Sequence, residues 1–126
     1  MSINLMCSVV KIDESKIPDI YLINMSCGET SIQMDIHRSV NIVKEGDLVE
    51  VVIDKKVPTY IEGRDFVAHG YVVSKREVGG STRIHVSLWG YLVVINTSSR
   101  AVVEFFNYMD KVYIRMSRSP SPYPKT

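Results

Sequence analysis

The sequence predicts an all-β fold, a small barrel or sandwich, on three observations. Apolar residues recur with period two in several segments, β-branched and aromatic residues crowd others on both faces, and turn chemistry separates them at short intervals. The alternation is strictest in three places. Ile32, Met34 and Ile36 alternate with Gln33, Asp35 and His37, the pattern of a strand with one buried face. Ile84, Val86 and Leu88 alternate with Arg83, His85 and Ser87, and Val112, Ile114 and Met116 with Tyr113, Arg115 and Ser117.

Five further segments are β-rich but apolar on both sides, as strands of a closed or covered sheet are. They run from Leu5 to Ile12, Ile20 to Met25, Leu48 to Ile53, Phe66 to Val73 and Tyr91 to Ile95. Between them stand Asp13 to Lys16 ahead of Pro18, Cys27-Gly28-Glu29, Glu45-Gly46-Asp47 and the hairpin turn Gly79-Gly80. One short helix fits, from Arg100 to Tyr108. Ser98 or Ser99 would cap it, and Val102, Phe105, Phe106 and Met109 stand near helical spacing. The longest irregular stretch is Lys55 to Arg64, with Pro58 and Gly63. Residues 1–118 read as a single barrel domain. Residues 119–126 form a tail with Pro120, Pro122, Pro124 and Lys125 and no acid, a composition that stays extended unless a partner surface holds it.

At 126 residues the chain has room for one core. Its 45% hydrophobic content and mean hydropathy of +0.03 describe a globular protein. Fifteen Lys and Arg against fourteen Asp and Glu leave a net charge of +1, without the basic excess that phosphate neutralisation demands. Protein partners are therefore expected before bulk nucleic acid. No apolar run approaches the ~18 residues of a membrane span, and the first residues lack the pattern of a secretory signal. An intracellular protein is expected, with Cys7 and Cys27 as buried free thiols. A disulfide between them requires neighbouring strands, and an intracellular setting disfavours one.

Chemistry-bearing patterns are scarce. His37, His69 and His85 lack the spacing of a zinc site, and no CxxC is present. His37 and His85 fall on polar strand faces, and His69 is expected to fill space in a strand. A dyad of Cys27 and His37 has no third orienting group. Most carboxylates lie in turns. Asp35, centred in a strand, is expected to face solvent. Gly79-Gly80 lacks phosphate-loop spacing. No catalytic residue, metal or cofactor is assigned, and an enzyme is the weakest reading.

Single-strand binders stack bases on exposed aromatics and follow the backbone with cations. Tyr71, Trp89, Tyr91 and Tyr113 supply rings, with Arg76, Arg83 and Arg115 nearby in sequence. Barrel aromatics more commonly fill the interior or its mouth, which is expected of most of these. Trp89-Gly90-Tyr91 is the exception, because a glycine inside a strand run marks a bulge or a close backbone approach.

Three segments together resemble one family. Ser31 to His37 (SIQMDIH) is similar to its early L-x-L-D-I-N strand. His69-Gly70 with Ser87 to Val93 (SLWGYLV) is similar to its Y-G strand and S-F-G-G-L-L-M signature. Met109 to Arg118 (MDKVYIRMSR) is similar to its closing M-D-x-x-x-Y-L-L-I-R-R strand. The family is subunit 8 of eukaryotic and archaeal DNA-directed RNA polymerases. Trp89 and Tyr91 replace a small residue and a leucine, and only Gly90 of the glycine pair remains. The short Lys55–Arg64 loop resembles the archaeal form.

The resemblance implies an eight-stranded antiparallel barrel related to the OB-fold, with at most one short helix. It implies a non-catalytic, peripheral subunit in the archaeal cytoplasm, aiding assembly and stability of the polymerase by docking on its largest subunit, with the active site on other chains. The docking face is expected around Leu88, Trp89, Gly90, Tyr91 and Leu92, together with an edge strand carrying Tyr113, Arg115 and Arg118, and the tail beyond it. The alternative is a stand-alone OB-type single-stranded nucleic-acid-binding module using Tyr71, Arg76, Arg83 and Trp89. The two differ in whether aromatics and arginines share one groove.

Overall fold

Every predicted strand forms, and the structure, a computed structural model, describes residues 2–119. The strands are β1 (Ser2–Glu14), β2 (Ile20–Cys27), β3 (Thr30–His37), β4 (Leu48–Asp54), β5 (Phe66–Val78), β6 (Ser81–Leu88), β7 (Tyr91–Thr97) and β8 (Lys111–Arg118). They close into one antiparallel barrel in the order β1-β2-β3-β7-β6-β5-β8-β4, with β4 pairing back onto β1. Alternation decides which side chains point inward. Ile32, Met34, Ile36, Ile84, Val86, Leu88, Val93 and Ile95 are all buried, and their alternate neighbours line the outer surface.

The predicted helix is shorter than the pattern allowed. α1 (Arg100–Phe105) begins where the Ser99 hydroxyl accepts the Val102 N–H at 3.4 Å, and ends before Tyr108. Val102 and Phe105 are buried, and Phe106 beyond them is fully enclosed, so the helix lies against β1 and β7. Lys75 fixes the helix end by donating to the Phe106 carbonyl at 2.9 Å, and Lys55 lies 5.0 Å from the Phe105 ring.

Two expectations about the strands are corrected. Cys7 and Cys27 are joined in a disulfide. The β1–β2 register sets Ser8 opposite Ser26, which brings the flanking cysteines together with their Cα atoms 4.2 Å apart. This pairing also removes Cys27 from any dyad with His37, whose Nδ1 instead accepts the Ser39 N–H of a 3-10 turn at Arg38–Val40. The strand Tyr113–Arg118 is not an edge, because β8 is laddered to β4 on one side and β5 on the other. The tail predicted for residues 119–126 lies outside the described residues, apart from Ser119. The Ser119 N–H donates to the Leu48 carbonyl at 2.9 Å.

Candidate functional site: an outward aromatic face

The β6–β7 connection is a two-residue hairpin, with Leu88 opposite Tyr91 and only Trp89 and Gly90 between them. Their φ values are 53° and 95°. Positive φ at both central residues matches the twist of the flanking strands, and such turns ordinarily carry Asn-Gly or Asp-Gly. Gly90 therefore serves a tight turn, where a bulge or close approach was expected. The close approach belongs to Gly70, where an added Cβ would sit 1.8 Å from the Ser87 carbonyl oxygen.

Trp89 is an unusual occupant of that turn. A bulky L-residue in the left-handed region costs roughly 1–2 kcal/mol, and Trp89 is nevertheless 78% exposed. What holds it is His69 on β5. The indole N–H donates to His69 Nε2 at 3.1 Å, and the two rings meet edge-on with centroids 5.6 Å apart. An accepting Nε2 places the imidazole proton on Nδ1. His69 in turn lies opposite Tyr113 of β8, 5.5 Å between ring centres, and the Lys111 ammonium lies 5.4 Å from the Tyr113 ring. His69 thus joins two rings on the outside of the barrel and does not fill space within a strand.

Beside this cluster opens a surface cavity of about 320 Å³, lined by Gly70, Tyr71, Val73, Ser87, Trp89 and Met109. Its shape comes from local backbone irregularity. Register shifts between Val72 and Ser74, so Val73 is an extra residue bulged out of β5. The Asn107–Asp110 turn closes the far wall, with the Met109 N–H donating to Val72 O at 2.7 Å and the Val72 N–H to Asp110 O at 2.9 Å. Met109, at φ 72°, is 59% exposed. Burial alone would raise the Asp110 carboxyl, but hydrogen bonds from Lys55 and Asn107 outweigh it and hold that group below its ordinary value.

The predicted docking residues divide. Trp89, Gly90 and, through His69, Tyr113 come together, and Leu92 stands on the outer face of β7 across from Ser87. Asp35 stands on the outer face of β3, as expected, and there accepts the Leu92 N–H at 3.2 Å. Leu88 is a core residue at 2% exposure, and Tyr91 packs partly against the core. Arg115, expected on an exposed edge, is only 4% exposed. The loop between β4 and β5 folds over it, so that its guanidinium donates to Thr59 O at 2.8 Å and pairs with Glu50. Arg118 lies elsewhere, 3.6 Å from Asp47, on the rim of a second cavity with Ile42, Gly63, Arg64 and Ser119.

The other predicted set holds together better. Tyr71 and Ser87 are paired outward across β5–β6, and further along the same face Arg76 lies opposite Arg83. Tyr71 and Trp89 border one cavity, whereas the arginines stand four residues along β6, ~13 Å away. These rings face outward, against the expectation that most would fill the barrel. From sequence alone, His69 and Met109 are assigned other roles, filling a strand and continuing a helix, and Val73 none. Only the isolated glycine beside His69 hinted at an unusual backbone. Among the described residues no three His, Cys, Asp or Glu side chains converge as a metal site requires, and no helix is long and apolar enough to cross a membrane.

Fold and surface define a small closed β-barrel whose distinctive feature is an outward aromatic face. The chain belongs to the RpbG family of DNA-directed RNA polymerase subunits, the archaeal subunit 8, whose sequence pattern matches residues 2–119. It is similar to the DNA-directed RNA polymerase subunit Rpo8 of Saccharolobus solfataricus, 32% identical over 122 residues, 91% of this chain and 92% of that one. Rpo8 of Sulfolobus acidocaldarius is 29% identical over 85% of this chain and 90% of its own length. Among solved structures, a cytoplasmic molybdate-binding protein, ModG, shows 11% identity over 91% of this chain and 89% of its own, with a TM-score of 0.37.

Proposed function

We propose that this chain is a non-catalytic, peripheral subunit of a multisubunit DNA-directed RNA polymerase, docked on the largest subunit and contributing to assembly of the enzyme. The observation that carries the reading is Trp89, held at positive φ on a hairpin tip and 78% exposed. An exposed ring in a strained turn lowers the stability of the isolated chain, and a protein surface that covers it recovers the lost burial. The carboxylates that chelate metal in the polymerase then belong to other chains, and this one works in the archaeal cytoplasm through its surface.

A tagged chain recovered from its host and washed at roughly 0.5 M salt, which strips purely electrostatic partners, should retain the large polymerase subunits in fixed proportion. Their absence from the washed sample overturns the reading. The tail joins the test through a chain ended after Ser119, since Arg118 is laddered to Val49 and Ser119 to Leu48. That variant should keep its melting temperature and lose polymerase recovery. Equal recovery removes the tail from the docking surface.

A further inference from the structure

Strand pairs ordinarily avoid like charges directly opposite one another, yet Arg76 and Arg83 face each other on the outer side of β5–β6. Arg83 is steadied by donating its Nε–H to Asn96 at 3.0 Å. Among the described residues neither arginine has a carboxylate within ion-pair distance. At the other end of the same ribbon lies the 320 Å³ cavity, where Tyr71, Val73, Trp89 and Met109 are 44%, 42%, 78% and 59% exposed. Its lining is mostly apolar, from Tyr71, Val73, Trp89 and Met109, with the Ser87 and Tyr71 hydroxyls as its remaining polar groups. The indole N–H is given to His69, and the Val72 and Met109 amides bond across the cavity floor. The opening therefore asks for an apolar side chain. Two of the three described non-glycine residues with positive φ, Trp89 and Met109, form its walls, so backbone strain is concentrated where the rings are presented.

We propose that the outer face of the β5–β6 hairpin is the docking surface for an acidic-apolar segment of the partner polymerase subunit. An apolar side chain of that segment seats between Trp89, Tyr71 and Met109, and its carboxylates lie against Arg76 and Arg83. This rests on the polymerase-subunit reading and gives it a surface and a chemistry. The ~13 Å between the two ends corresponds to about four residues of extended chain, so the segment carries its acid about four positions from its apolar anchor. Protein is favoured over a nucleic-acid strand because the rings wall a cavity instead of forming a flat stacking track. The arginine pair sits at one end, beside Glu77, and Lys111 alone stands at the other, opposite Tyr71, in a chain whose net charge is +1. Electrostatic complementarity of this kind fixes register and speeds encounter.

Trp89 is the only tryptophan of the chain, so 5-fluorotryptophan labels the surface at one atom. The labelled full-length chain is titrated with host polymerase prepared without this subunit, read by fluorine NMR and by affinity. The wild-type resonance should shift on binding. Trp89→Ala should weaken binding about thirtyfold or more, the loss expected of an aromatic anchor. R76E/R83E should weaken it roughly tenfold or more, increasingly so at low salt. Melting curves establish that each variant is folded, and R76Q/R83Q replaces the charge reversal if that variant is not. Wild type and variants binding equally overturn the proposal alone. Failure of the wild type to bind overturns the polymerase-subunit reading and the proposal with it. A single-stranded oligothymidine that binds the wild type and not R76E/R83E, with polymerase affinity unchanged, reassigns the face to nucleic acid and also overturns the proposal.

Discussion

Replacing Gly70 by alanine is the sharpest test of how the aromatic face is built. An alanine Cβ would lie 1.8 Å from the Ser87 carbonyl oxygen, 2.7 Å from its carbonyl carbon and 3.0 Å from Leu88 Cα. Ordinary carbon contacts are close to 3.5 Å, so β5 and β6 must part by more than about 1 Å. Every atom in the way is backbone and cannot turn aside. The rungs at risk are Tyr71–Ser87 and Val72–Val86, each hydrogen bond worth about 1 kcal/mol net. The strain of overpacking adds about 1–3 kcal/mol. A loss of about 3 kcal/mol or more follows, or roughly 10 °C or more in melting temperature for a domain of this size. Urea unfolding followed by far-UV circular dichroism reads the loss directly, with an unchanged denaturant slope showing that the unfolded state is not the cause. Gly90→Ala is the control. It has open space around the new methyl but a φ of 95°, and should cost only about 1 kcal/mol. If Gly70→Ala costs less than about 1 kcal/mol, the two strands do not approach as described, and the cavity wall they form is misplaced with them.

The Cys7–Cys27 bond closes a loop of sequence separation 20. Its loss in the Cys7→Ala/Cys27→Ala variant should lower stability by about 3 kcal/mol, and a reductant should then shift the melting curve of the wild type alone. Arg115→Ala strips Glu50 of its guanidinium beneath the β4–β5 loop, where the two side chains are 5% and 18% exposed. It should cost roughly 3–5 kcal/mol, with Arg115→Ala/Glu50→Ala costing less than the sum of the single changes in chemical denaturation. The folded Asp110 carboxyl titrates below its ordinary value through Lys55 and Asn107. Its contribution is therefore full above the unfolded value near 3.8 and fades as pH falls through the lower folded value. Lys55→Met should flatten the stability profile below about pH 4, and an unchanged profile refutes that assignment.

How much of this was readable in the residues depended on how local each cause was. Ile32 to Ile36 and Ile84 to Leu88 announce their inner faces by alternation, and the Ser98-Ser99 pair announces the helix start, because each signal is complete within a few residues. The disulfide was missed because it depends on the register between β1 and β2, which no short stretch encodes. Arg115 was placed on an open edge for a similar reason. Its burial comes from a loop that reaches Thr59 across 56 residues of sequence. Trp89-Gly90 was singled out for its glycine, but whether a glycine inside an apolar run is a turn or a close approach depends on the neighbouring strand. Gly70, marked only by its place in the Tyr-Gly strand, turned out to be the close approach. The ring partnership of Trp89 with His69 spans 20 residues and had no local mark at all.

Barrel closure also bears on the chain's life before and after it meets a partner. Each of the eight strands has a neighbour on both sides, so among the described residues none is an edge along its whole length, although β1 meets β4 over Ser2–Ser8 and β2 over Ser8–Glu14. Copies made in excess of the other subunits present no full-length edge on which a shared sheet could lengthen, so a surplus pool is less open to that route to aggregation. The same closure leaves side chains to offer most of the barrel's contact surface. A partner met through side chains would leave the barrel's own ladder in place when it is joined or lost.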